Sequence, residues 1–224
     1  MKPRFSNQTN RALTLTEMLV VIVVVMVVLA LFLLPAFHDG PVKAPRINCV
    51  NNLKQIGLAY YMWSEDHQGK FPMEVSVTNG GTMELFSGGS QFQNLVFLNY
   101  LVMSNELSTP KILHCQADTN GFAAQNFSAG FNNQKVSYFV GLDAGTNFPQ
   151  AILSGDDNFE VGGVPIKSGV SIFSSNAPIA WTAARHKFAG NIGLADGSVQ
   201  QVTISGLTNL LQQIGIATNR LAIP

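Results

Sequence analysis

From Met18 to Phe37 the chain runs 20 residues without a charge, the length a helix needs to cross the hydrocarbon core of a bilayer. The segment therefore predicts a transmembrane helix. Ahead of it, Met1 to Ala12 carries Lys2, Arg4 and Arg11 and no acid. Positive charge before a first span keeps that end in the cytoplasm, so everything after Phe37 is expected outside, on a single-pass anchor. The apolar run is longer than the core of a cleaved secretory signal, and LLPAFHDG offers no small-residue cleavage pattern after it. On these features alone the segment is an uncleaved signal anchor. Glu17 complicates that reading. A carboxylate just inside an apolar span is costly, and one kept there calls for a partner.

The remaining chain is long enough for one core and contains no second apolar span. Charged residues make up only 12%, and the 20 glycines sit among many Asn, Ser and Gln, as expected for short strands joined by long loops. Removing the leader would take three of the 13 basic residues and no acid, leaving a mild acidic excess that argues against a nucleic-acid partner.

Local patterning divides the exported part. HDGPVKAP (38–45) holds two prolines and a glycine and is expected to interrupt the helix. Arg46 to Glu65 reads as an amphipathic helix: Val50, Leu53, Gly57, Tyr60 and Ser64 share one side, Ile56, Tyr61 and Trp63 widen it, and Asn51, Asn52 and Lys54 face outward. From Met73 to Val202 short apolar runs alternate with GG, SGG, DAG and GDD, which suggests an antiparallel sheet with short helices, one over Phe92–Leu101. Leu207, Leu210, Leu211, Ile214 and Leu221 fall at helical spacing. NIGLADGSVQQV predicts a hairpin closed at Asp196–Gly197 by a two-residue primed turn.

Cys49 and Cys115 are the only cysteines. Outside the cytoplasm such a pair invites a disulfide; two buried free thiols are the alternative. Two cysteines and the scattered His38, His67, His114 and His186 do not form a structural zinc pattern. No GxSxG elbow accompanies His186 and Asp196, so the chain is not expected to be an enzyme.

The order Ala12, Leu13, Thr14, Leu15, Thr16, Glu17, then an apolar helix, resembles the class III signal of type IV pilins and type II secretion pseudopilins. The resemblance implies cleavage by prepilin peptidase between Ala12 and Leu13, methylation of the new terminus, and pairing of Glu17 with the N-terminal amine of a neighbouring subunit. Further landmarks are CVNNLKQIGLA (49–59), GKFP (69–72), ILHCQAD (112–118), ILSGDDN (152–158) and HKFAGNIGLADG (186–197). They resemble a pilin-like family of Planctomycetes and Verrucomicrobia marked by a C-terminal His, nine residues, Asp and Gly, here His186, Asp196 and Gly197.

The resemblance implies an α+β pilin-like fold, in which an N-terminal membrane helix continues into an amphipathic helix packed on an antiparallel sheet. The domains expected are a leader (1–12), an assembly helix (13–37), a Pro/Gly break (38–45) and an extracytoplasmic domain (46–224). The function implied is a structural subunit of a pilus or secretion pseudopilus in the inner membrane. Its partners would be prepilin peptidase, like or related pilin subunits and the assembly machinery. A tethered module binding polysaccharide or a surface ligand, with Trp63 and Trp181 as stacking residues, is the alternative. His186, Asp196 and Gly197 are expected to be structural, and no cofactor or metal is expected. Since major pseudopilins bind calcium in C-terminal loops, Asp196, Asp156 and Asp157 form an alternative calcium set.

Overall fold

A computed structural model describes residues 14–33, 40–87, 95–128 and 130–224. The chain divides into two compact units, Met1–Pro41 and Val42–Pro224.

The first unit holds α1 (Leu15–Leu33). It is apolar on every side, and its side chains are exposed from Met18 to Leu29. Among the described residues no helix is long and apolar enough to cross a membrane. The stretch expected to do so runs on to Phe37, into residues 34–39, which lie outside the described ones. Ala12 and Leu13 also lie outside them.

Helix α2 (Gly40–Asp66) starts earlier than the sequence suggests. Gly40 to Pro45 are helical rather than a break; His38 and Asp39 lie outside the described residues. At Pro41 the cause is simple. Pro41 sits in the first turn, where backbone N–H groups have no intrahelical acceptor, so its missing donor costs nothing. In the second unit α2 buries Cys49, Leu53, Ile56, Ala59, Tyr60 and Trp63. Asn52 does not simply face outward: its Nδ2 donates to the His114 carbonyl at 3.3 Å and to the Tyr138 hydroxyl at 3.2 Å.

After α2 come the short helices α3 (Met83–Ser87), α4 (Val96–Leu101) and α5 (Ser104–Leu107). Among the described residues nine strands follow: β1 (Tyr138–Gly141), β2 (Ile152–Asp156), β3 (Phe159–Val161), β4 (Val164–Pro165), β5 (Gly169–Ser174), β6 (Ile179–Trp181), β7 (Ala189–Leu194), β8 (Val199–Thr203) and β9 (Thr218–Ile223), with α6 (Ile204–Gln213) between the last two. The main sheet has the order β5-β9-β1-β2-β7-β8, and a smaller one the order β4-β3-β6. Every strand pairing is antiparallel. The fold class is α+β.

Strands β1, β2 and β7 are buried along their whole length, so the middle of the main sheet is covered on both faces. Alternation along the strands sorts the side chains. Tyr138, Val140 and Leu153 join the core beneath α2. Phe139, Ile152 and Ile192 join a second core with Phe159, Trp181, Leu207 and Leu211, under α6 and the small sheet. Trp63 and Trp181 are 3% and 1% exposed, so both are core residues and neither can stack on a ligand.

The helix expected to reach Leu221 stops at Gln213. Gly215, at φ +72°, breaks the helical path, and Leu221 instead sits in β9, paired with Gly141 and Ser171. Its helical spacing from Ile214 is coincidental, since a buried strand needs an apolar residue there too. The β7–β8 hairpin also differs from the expected two-residue turn. Leu194 N–H donates to the Ser198 carbonyl at 2.9 Å, and Gly197 N–H to the Leu194 carbonyl at 3.0 Å. The loop is therefore Ala195-Asp196-Gly197, and only Gly197 takes a positive φ, +80°. That is the three-residue hairpin ending in a left-handed glycine.

Candidate functional site: a buried histidine and aspartate beside the disulfide

Cys49 and Cys115 form a disulfide, with Cα atoms 5.6 Å apart and a sequence separation of 66. It ties α2 to the segment after the Pro110–Leu113 turn. Two further side chains close on it. His186 Nε2 lies 3.4 Å from Cys115 Sγ and 3.4 Å from Asp156 Oδ2. The side chains of His186 and Asp156 are 1% and 0% exposed.

The backbone that delivers His186 is strained. Arg185, Lys187 and Phe188 have φ of +63°, +51° and +61°, and each left-handed non-glycine residue costs roughly 1–2 kcal/mol. The surroundings hold the segment in place. Asn158 Nδ2 donates to the Ala184 carbonyl at 2.8 Å, and the Thr182 hydroxyl to the Asn158 carbonyl at 3.0 Å. Arg185 reaches the Ser137 carbonyl and Asp118 Oδ2, each at 2.8 Å, and is ion-paired with Asp157. Strain of this kind persists only where neighbouring contacts over-determine it, and it concentrates at working sites.

Asp156 ends β2. Its Oδ2 accepts Asn191 N–H and Nδ2–H, both at 2.8 Å; its Oδ1 is buried without a hydrogen-bond partner. Burial pushes the Asp156 carboxyl up to about 7, against the pull of the Asn191 N–H groups. Burial likewise raises Asp157 to about 6, with Arg185 opposing. Burial lowers His186 to about 4, helped by the nearby Arg46 and Arg185 charges. Near neutral pH the imidazole is thus uncharged.

The other end of the His186–Gly197 motif lies elsewhere. Asp196 Oδ1 accepts Ser198 N–H at 2.8 Å, an Asx turn within the hairpin. The hairpin leans on α2: the Tyr61 hydroxyl donates to the Ala195 carbonyl at 2.6 Å. A methyl on Gly57 would stand 3.4 Å from the Gly197 Cα. His186 and Asp196 therefore do not form one polar site. Nor do the three acids of the calcium alternative converge, because Asp157 is paired with Arg185 and Asp196 is occupied in its turn. Among the described residues the only group of three or more potential metal ligands is Cys49, Cys115, Asp156 and His186, whose ligand atoms lie within 4.8 Å of one another. Sequence reading missed this grouping, along with Arg185, Asn158 and Asn191. The GDDN run and an Arg next to His186 were the available signals, but nothing local links them.

At the N-terminus Thr14 and Glu17 form a capping box. Thr14 N–H donates to Glu17 Oε2 at 2.8 Å, its hydroxyl to the same oxygen at 2.9 Å, and Glu17 N–H to Thr14 Oγ1 at 3.4 Å. Glu17 thus has a local use independent of any neighbour.

No protein-family model, curated protein or solved structure matches the chain.

Proposed function

We propose that the chain is a non-enzymatic structural subunit of a type IV pilin-like or type II secretion pseudopilus filament. In this reading Met18–Phe37 anchors it in the inner membrane, the second unit is extracytoplasmic, and prepilin peptidase cuts between Ala12 and Leu13. The observation that carries the reading is α1. Its run from Val20 to Val28 is almost entirely β-branched, a composition that favours strands in water. It is nonetheless a helix with its apolar side chains exposed all round. In lipid every backbone group must be bonded within the segment, which makes helix the only option for such a span. Glu17 at its first turn then needs a cation, and the amine of a processed neighbour would supply one; two opposite buried charges offset part of each other's desolvation. The long helix α2 against an antiparallel sheet is the architecture the reading requires.

Mass spectrometry of the mature chain tests the processing step: a methylated Leu13 terminus is expected, and retained Met1 refutes it. For the pairing step Glu17→Gln is more telling than Glu17→Ala, since Gln still completes a capping box but carries no charge. Crosslinked oligomer ladders at equal membrane levels are expected to disappear for both variants. Ladders that survive in Glu17→Gln would mean the residue is only a cap, and a tethered, non-polymerising module would then be the better reading.

A further inference from the structure

The four-residue group at the disulfide has a second chemistry available to it. We infer that, in the dithiol form of the chain, Cys49 Sγ, Cys115 Sγ, His186 Nε2 and one Asp156 carboxylate oxygen bind a single Zn²⁺ ion, so that metal and disulfide are alternative occupants of one site.

The donor set fits zinc. Two thiolates, an imidazole and a carboxylate are all zinc ligands in four-coordinate sites, and two sulfurs disfavour calcium or magnesium. The spacing fits as well. With bonds of about 2.0–2.3 Å, a tetrahedral zinc holds its ligand atoms roughly 3.3–3.8 Å apart. Nε2 already stands 3.4 Å from Cys115 Sγ, and one ligand atom from each of the four residues lies within 4.8 Å of the others. The two sulfurs must part, by side-chain rotation once their bond is reduced, and the carboxylate must close on the ion; Cys Cα atoms 5.6 Å apart leave room for the first.

Two independent features suggest that the site is built. Asp156 is a fully buried acid with one oxygen lacking any donor, an arrangement that burial alone penalises and a cation would satisfy. Its other oxygen is held by both N–H groups of Asn191, the kind of outer contact that orients a metal-ligating carboxylate. His186 is delivered on a backbone strained at three of the four positions 185–188. Charge also balances. Two thiolates and a carboxylate around Zn²⁺ leave one net negative charge, and Arg46, bonded to the Gly190 carbonyl at 3.2 Å and to Asn191 Oδ1 at 3.4 Å, lies beside it.

The interconversion is stoichiometric. A dithiol reductant gives up two electrons and two protons to the Cys49–Cys115 bond and becomes a disulfide itself. Zn²⁺ then displaces the two thiol protons. A newly made chain, not yet oxidised, would reach the same metal-bound state without the first step.

The test uses the full-length chain in detergent micelles, reduced with a dithiol that is removed anaerobically before metal is added. Co²⁺ serves as the spectroscopic probe and Zn²⁺ as competitor. The reduced chain is expected to give the visible bands of tetrahedral cobalt with a thiolate charge-transfer band, at one ion per chain, displaced by Zn²⁺. The oxidised chain should give neither. Asp156→Asn and His186→Gln should each weaken binding by at least about 100-fold, because even outer-contact changes cost about 10–100-fold. Asp156→Asn keeps the shape and the Asn191 contact, so its disulfide form should melt like the wild type while its dithiol form no longer responds to Zn²⁺. Zn²⁺ should raise the melting temperature of the reduced wild type increasingly with its concentration. The inference is overturned by an absent tetrahedral spectrum, by equal binding to the oxidised chain, by unchanged affinity in both variants, or by a reduced chain that stays unfolded with Zn²⁺ present. None of these readouts depends on filament assembly.

Discussion

Just before β7, His186 is buried against the Cys49–Cys115 disulfide on strained backbone. Just after it, the exposed Asp196 and the half-buried Gly197 form a turn whose bonds are ordinary hairpin chemistry. One motif thus has two dissimilar ends, yet both face the same helix. The strand tracks α2: Arg46 bonds the Gly190 carbonyl, Gly193 packs on Leu53, and Gly197 packs on Gly57. The nine-residue spacing between His186 and Asp196 is accounted for by a strand held to α2 at both ends, one clamp polar and set beside the disulfide, the other a matter of close backbone approach.

If the first end is the stronger clamp, its loss should cost most. Replacing both cysteines by alanine should destabilise the second unit by about 4 kcal/mol, the chain-entropy value for a loop this long, read as a shift in denaturant midpoint. A loss no larger than that of a single turn substitution would reverse the ranking. His186→Ala should cost less and depend on pH. The imidazole titrates near 4 when folded against 6.5 normally, so the unfolded chain binds the extra proton between those values. Wild-type stability from this group is therefore complete above about pH 6.5 and lost as pH falls towards 4, by about 2 kcal/mol at pH 5. The raised Asp156 and Asp157 act in the opposite sense, losing stability as pH rises towards 7, so the comparison must be with the variant. The penalty of His186→Ala should shrink by that amount from pH 7.5 to about pH 5; a constant penalty would mean that the ring is not buried neutral.

Much of the second end could be read locally. Asp-Gly between two alternating runs announces a hairpin, and only the loop length came out differently. The inward face of α2 was equally legible from its periodicity, because residues a helix turn apart need no tertiary knowledge. The first end was not. His186, Asp156, Cys49 and Cys115 lie on a loop, a strand, a helix and another loop, and only the sheet order β2-β7 beneath α2 brings them together. The same holds for Leu221, whose helical spacing could not reveal that Gly215 turns the chain into β9. Pro41 misled in the opposite direction, since a proline in a first turn is no obstacle; Pro45 lies a turn further in, and the helix runs on through it without that backbone bond.

A smaller effect sharpens the second clamp. Gly197→Ala should cost about 1 kcal/mol, the lower range for a left-handed non-glycine residue. The added methyl meets only ordinary contact, the Tyr61 ring at 3.7 Å, so strain and not overlap sets the cost. Gly197→Asn, which tolerates this conformation better, should cost less than alanine. If alanine proves harmless, the turn has freedom to shift and is not a clamp.

The smallest effect on stability is expected where neither clamp reaches. Ile47, Leu58 and Met62 lie on the outer side of α2, 52%, 59% and 46% exposed. Leu58→Ser removes an apolar side chain that is already largely in water, so little transfer energy is lost and stability should stay within about 0.5 kcal/mol of wild type, read from the melting temperature. Assembly should respond differently. Under the filament reading this outer face packs between subunits, and the same substitution should thin the crosslinked ladders at unchanged membrane levels. A large stability loss would show that α2 is held from both sides and that β7 is not its main support. Unchanged ladders would restrict subunit packing to α1, leaving the outer face of α2 without a part in assembly.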